Sequence, residues 1–200
     1  MAALNTVEVR TLLQRVAHRP GQMFALDVLP ADCLPSVSRL QDILRSNALC
    51  CFVANTDPAK RSGKHWVLFI ASSVRGAIQL EYFDSYGLPM VLYTDVYNDC
   101  VRKRLLPLIK VYSTLSLQDV SSSVCGHYCI LFAHFRAMGH SYKFTLDYLR
   151  KGSVTALERD KFVVTTLHSI LHRYCCAMHT SSMYLVSEGL QQSCCAAMSK

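Results

Sequence analysis

Gln118-Asp119-Val120-Ser121-Ser122-Ser123-Val124-Cys125-Gly126-His127-Tyr128-Cys129 places a Cys-Gly pair at the start of an apolar run, with an amide side chain seven residues upstream. Ile130, Leu131, Phe132 and Phe135 continue that run and predict a helix whose first turn carries Cys125. A helix N-terminus exposes unpaired N–H groups and the positive end of the macrodipole, and both stabilise a thiolate and an anion forming beside it. Ser121, Ser122 and Ser123 keep the approach polar and offer caps. Cys125 therefore reads as a nucleophile, against the alternative of a small apolar residue inert in a core.

A second constellation lies upstream. Gly63-Lys64-His65-Trp66-Val67-Leu68-Phe69-Ile70 and Ile78-Gln79-Leu80-Glu81-Tyr82-Phe83-Asp84-Ser85 are short apolar runs rich in strand formers, separated by turn-like Ser72-Ser73-Val74-Arg75-Gly76. A hairpin folded about Val74 and Arg75 pairs Ala71 with Ile78, Phe69 with Leu80, Val67 with Tyr82 and His65 with Asp84. Imidazole and carboxylate then meet at the open end of the ladder. A slip of one residue would send Phe69 and Tyr82 to opposite faces.

Taken together, these residues satisfy the logic of nucleophilic catalysis. His65 takes the thiol proton, Asp84 holds the ring in the required tautomer, and Cys125 attacks a carbonyl. Gln118 and the Cys125 backbone N–H are placed to stabilise the oxyanion, at about 3 kcal/mol per donor. Each residue alone has a plainer reading, His65 as a surface or core histidine and Asp84 as a turn cap. The joint order His, Asp, Gln, Cys argues for the site.

The blocks His65-Trp66, Tyr82-Phe83-Asp84-Ser85, and Gln118 followed seven positions later by Cys125-Gly126 resemble the adenovirus endopeptidase (adenain) and its relatives, the SUMO-specific proteases. The resemblance runs from about Phe24 to Phe135. The Gln118–Cys125 spacing, Cys129 and the short chain look closer to adenain, whereas Asp84 in place of the usual adenain Glu matches the SUMO proteases. It implies an α+β, papain-like/adenain-like cysteine protease with a central mixed sheet flanked by helices. The implied activity is cleavage of capsid-type precursors at small or Gly-containing sites, with Trp66 and Gly126 lining the substrate groove. No cofactor is implied for the chemistry, but an activating peptide and DNA are implied as stimulators, with Cys100 the one candidate to bond such a peptide. A SUMO or ubiquitin-like isopeptidase with the same residues is the alternative, and a catalytically dead fold used for binding is a second.

Composition fits one compact enzyme domain over residues 1–200. About half of the 200 residues are apolar, and no Gly/Ser- or Pro-rich linker divides them. No run approaches a membrane span, and the N-terminus lacks a secretory pattern. Leu4, Val7, Leu12 and Val16 beside Arg10, Arg15 and Arg19 suggest a first amphipathic helix. Ten cysteines, with Cys50-Cys51, Cys175-Cys176 and Cys194-Cys195 adjacent, argue for a reducing compartment: nucleus or cytoplasm, or host nucleus and virion if viral. Metal-ligand spacing is lacking, and Cys129 reads as core.

Pro35 suits the first turn of a helix through Leu44, Ala48 to Val53 reads as a buried strand beside the hairpin, and Lys110 to Leu117 alternates as a strand ending at Gln118. Residues 154 to 178 form a long helical pattern, and the tail from about 180 is weakly specified. A net charge of +7 and pI near 8.9 favour polyanions, with Arg102, Lys103, Arg104, Lys110, Arg150 and Lys151 as candidates. Any DNA binding would be phosphate-driven, with a protein substrate as the main partner of a monomer.

Overall fold

The computed structural model describes residues 2–61, 63–88, 92, 93, 99, 101–151 and 155–182. Cys100 and the tail from 183 onward lie outside the described residues. The chain forms two compact units, Met1–Leu167 and His168–Lys200. In the second, the described residues are helical through Ser182.

The first unit is built on a five-stranded mixed sheet in the order β1-β2-β3-β4-β5. The strands are β1 (Met23–Leu29), β2 (Leu49–Asn55), β3 (Trp66–Val74), β4 (Ala77–Phe83) and β5 (Ile109–Tyr112). β2, β3 and β4 are antiparallel neighbours, while β1 and β5 join the two edges in parallel. The α-helices among the described residues are α1 (Thr6–Ala17), α2 (Val37–Leu44), α3 (Cys125–Ala137), α4 (Tyr142–Arg150) and α5 (Ala156–Ser182).

Strand periodicity divides the core between the two faces of the sheet. Cys50, Phe52 and Ala54 of β2, Val67, Phe69 and Ala71 of β3, and Leu80 and Tyr82 of β4 join Leu40 and Ile43 of α2 in one cluster. On the opposite face Phe83 stacks on Phe132 of α3, ring centroids 4.2 Å apart. Fully burying each such large apolar side chain contributes about 1.5–3 kcal/mol. α3 is buried from Cys125 to His134, as a helix packed against both α1 and β3 must be. Arg136 fastens it to β4 through two charge-assisted bonds to Glu81, at 2.7 and 2.6 Å.

α1 is an amphipathic helix, but its buried face is Val9, Leu13, Val16 and Ala17; of the apolar residues expected to form it only Val16 is buried, and Val7 is exposed. It opens on a capping box: the Asn5 side chain accepts from the Val7 and Glu8 N–H groups, and Glu8 accepts from the Asn5 N–H. Three local expectations are corrected. Pro35 precedes the α2 cap, which is Ser36, its hydroxyl accepting the Arg39 N–H at 3.2 Å. β5 stops at Tyr112, so Gln118 arrives on a loop instead of a strand end. Ser121, Ser122 and Ser123 cap nothing, because the α3 N-cap is Val124 and no side chain bonds into that terminus.

The hairpin is the largest correction. Leu68 pairs with Phe83, Phe69 with Tyr82, Ala71 with Leu80 and Val74 with Ala77, two positions from the expected register. Arg75 (φ 52°) and Gly76 (φ 80°) are both left-handed, the requirement of a tight two-residue turn whose twist matches the flanking strands. A shift of two keeps every side chain on its expected face, which is why the burial pattern could not exclude it.

Candidate active site

His65 and Asp84 flank the ladder ends, His65 just before β3 and Asp84 just after β4. They are not a cross-strand pair. Extended in register, the ladder would set His65 opposite Tyr86, and their rings do stack at 4.7 Å. Asp84 reaches the imidazole diagonally, a normal neighbour relation across two strands. His65 Nε2 lies 2.8 Å from Asp84 Oδ1, with both residues buried.

Asp84 is saturated with donors. Oδ1 also accepts the Tyr86 backbone N–H at 2.8 Å, and Oδ2 accepts the hydroxyls of Tyr82, at 3.5 Å, and Tyr93. A carboxylate bonded in this way orients its histidine and stays put.

Cys125 opens α3, and only 6% of its surface is exposed. His65 Nδ1 is buried with no hydrogen-bond partner, which leaves it the ring nitrogen open to the thiol. Burial pulls the His65 pKa down. The hydrogen bond to Asp84, with the interactions of Asp84 and Cys125 with the ring, outweighs it, and the pKa rises to about 9. The arrangement favours an imidazolium facing the sulfur. Burial instead pushes the Cys50 thiol up to about 12 and raises Cys51 and Cys129 strongly, which suits inert core residues. Cys129 donates to the Trp66 carbonyl at 3.4 Å, in keeping with its reading as core.

Gln118 is brought to the same site by the segment that follows β5. Its backbone N–H and that of Leu117 donate to the Ser85 carbonyl at 3.0 and 2.9 Å. The Ser85 hydroxyl donates to Gln118 Oε1 at 2.7 Å, which aims the amide nitrogen at Tyr86 Oη (3.1 Å) and at the Ser122 carbonyl (3.0 Å) and hydroxyl (3.1 Å). Beneath the loop, buried Asp160 of α5 accepts the Asp119 N–H at 3.2 Å and the Tyr128 hydroxyl at 2.9 Å, while Arg159 donates to the Leu117 carbonyl at 3.0 Å.

Trp66 and Gly126 meet the start of the chain. The Trp66 indole N–H donates to the Leu4 carbonyl at 3.3 Å. A Cβ on Gly126 would lie 3.1 Å from Val9, 3.3 Å from Leu4 and 3.4 Å from Trp66, so this glycine lets α1 approach the N-terminus of α3. Sequence reasoning gave Ser85 no role of its own and passed over Tyr86, two residues after Asp84, and had no signal for Tyr93 or Asp160. Among the described residues no cluster of His, Cys, Asp or Glu is placed to hold a metal ion, and no helix is long and apolar enough to cross a membrane. Of the basic residues singled out, Arg102 and Lys103 pair with Asp99, and Arg104 donates to the Leu34 carbonyl.

No protein-family model matches the sequence, and no curated protein matches it. Solved structures do. The ASFV pS273R protease superposes with a TM-score of 0.52 at 20% identity, over 81% of this chain and 66% of that one. The Rickettsia bellii effector protein RickCE gives 0.40 at 14% identity, over 71% and 51%. The chain thus spans just under two thirds of the length of the pS273R protease, and the mixed-sheet α+β architecture expected from the sequence is the fold it shares with that protease.

Proposed function

We propose that the protein is a cysteine endopeptidase that hydrolyses peptide bonds through an acyl-enzyme on Cys125. The observation that carries the reading is a buried histidine, its Nε2 held by Asp84, that interacts with a cysteine at an uncapped helix start and stacks on the ring of Tyr86, whose hydroxyl accepts from the Gln118 amide. Nδ1 of His65 takes the thiol proton, and the thiolate adds to the substrate carbonyl. The oxyanion is met by the Cys125 N–H and by Gln118 Nε2, which gives up one of its bonds to Tyr86 or Ser122. His65 returns the proton to the leaving amine, and water then releases the acyl group.

The substrates we infer are protein precursors of a virus or virus-like element, cut at small or glycine-containing sites. Support comes from the fold shared with a viral protease and from the residue blocks around His65, Asp84 and Cys125. The test is cleavage of a fluorogenic Leu-x-Gly-Gly peptide beside a SUMO-terminal amide, by wild type and Cys125→Ala, with and without duplex DNA at two salt concentrations. Peptide cleavage that vanishes in Cys125→Ala supports the endopeptidase, and a rise with DNA at low salt supports polyanion stimulation. Preference for the SUMO amide replaces this reading with the isopeptidase. Silence on both refutes it for the free chain.

A further inference from the structure

Two tyrosines that this chemistry does not consume stack on the His65 imidazole. Tyr86 lies 4.7 Å away, centroid to centroid, with rings 25° apart, and Tyr93 lies 5.6 Å away at 15°. Each is also tied to another member of the site. The Tyr93 hydroxyl donates to Asp84 Oδ2. The Tyr86 N–H donates to Asp84 Oδ1, and its hydroxyl donates to the Ser122 carbonyl at 2.9 Å while accepting from Gln118 Nε2.

An imidazolium that is 5% exposed has almost no water to solvate it. Aromatic faces carry negative potential and attract a cation stacked on them, more strongly where water is excluded. Among the described residues, the charged or titratable groups facing His65 are Asp84, Cys125 and the two phenols. Burial, followed by the negative charges of Cys125, Asp160, Asp84 and Asp119, raises the Tyr86 pKa, so its hydroxyl remains a neutral donor.

We propose that Tyr86 and Tyr93 are positioning residues of the site: their ring faces hold His65 as an imidazolium toward Cys125, and the Tyr86 hydroxyl sets the Gln118 amide. The proposal rests on His65 as base and Cys125 as nucleophile. Its signature separates the two parts of a tyrosine, because Phe keeps the ring and loses the hydroxyl.

The experiment is alkylation of Cys125 by iodoacetate, an anionic reagent accelerated while His65 is protonated, followed by peptide mass mapping across the pH range. Wild type should show an alkaline fall near pH 9, where His65 loses its proton. Tyr86→Leu and Tyr93→Leu should each move that fall down by about one pH unit. Tyr86→Phe should leave it in place, yet lower kcat on the peptide about tenfold with KM unchanged, because the amide of Gln118 is less well aimed. An alkaline limb unmoved in both Leu variants would overturn the proposal. Wild-type Cys125 alkylating no faster than exposed Cys33 would overturn the site reading itself, a separate result.

Discussion

At His65 the division of labour between the two ring nitrogens sets the consequence of changing Asp84. An amide in place of the carboxylate can offer N–H to Nε2, which puts the ring proton on Nδ1, the nitrogen that in the proposed mechanism accepts from Cys125. Asp84→Asn should therefore lower kcat by about 10³–10⁴-fold with little change in KM, read from steady-state peptide cleavage. A loss below tenfold would mean that Asp84 only supports the fold. The four residues proposed for this chemistry could be singled out in the sequence because each is a reactive type with a local cue: an apolar helix after Cys125, strands beside His65 and Asp84, an amide at fixed spacing. Tyr93 was not legible. Its proposed role depends on its ring lying over the imidazole 28 positions away in sequence, and nothing in its own neighbourhood of the sequence marks that contact.

Among the elements, the connection that carries Gln118 is held by contact with a glycine. Gly87 has φ +63°, and a Cβ there would come within 2.6 Å of the Thr114 carbonyl and 2.7 Å of the Leu115 backbone. Backbone cannot yield as a flexible side chain does. Gly87→Ala should displace the segment 113–118, loosen Gln118 and cut kcat about 10²-fold, one lost oxyanion donor, while circular dichroism stays native. Gly76 makes the opposite case. Its left-handed φ serves the far end of the hairpin with nothing within 4 Å, so Gly76→Ala should cost about 1 kcal/mol in urea unfolding and leave activity per folded molecule unchanged. The sequence placed both strands and both faces correctly because alternation is a local property. It missed the register by two residues because that depends on Arg75 accepting a left-handed conformation, which its residue type does not announce.

Over the whole molecule, the raised His65 pKa links stability to pH. The native state holds this proton more tightly than the unfolded chain, whose histidine titrates near 6.5. The stabilisation is complete below about pH 6.5 and disappears as pH rises through about 9, a contribution of about 1–3 kcal/mol. Wild type should lose urea resistance across that window, and Asp84→Asn, which removes the partner that raises the pKa, should show a flatter profile. The thiols give the molecule-wide test of the central claim. Among the cysteines whose side chains are described, Cys33 is exposed, while Cys50, Cys51, Cys125 and Cys129 are buried. Accessibility alone would direct a reagent to Cys33, whereas an imidazolium and a helix N-terminus would direct it to Cys125. The measurement is a brief exposure of native protein to substoichiometric chloroacetamide, with the adduct located by peptide mass mapping in wild type and His65→Ala. The account predicts one dominant adduct on Cys125 that disappears in His65→Ala; labelling of Cys33 with Cys125 untouched in both proteins would contradict it.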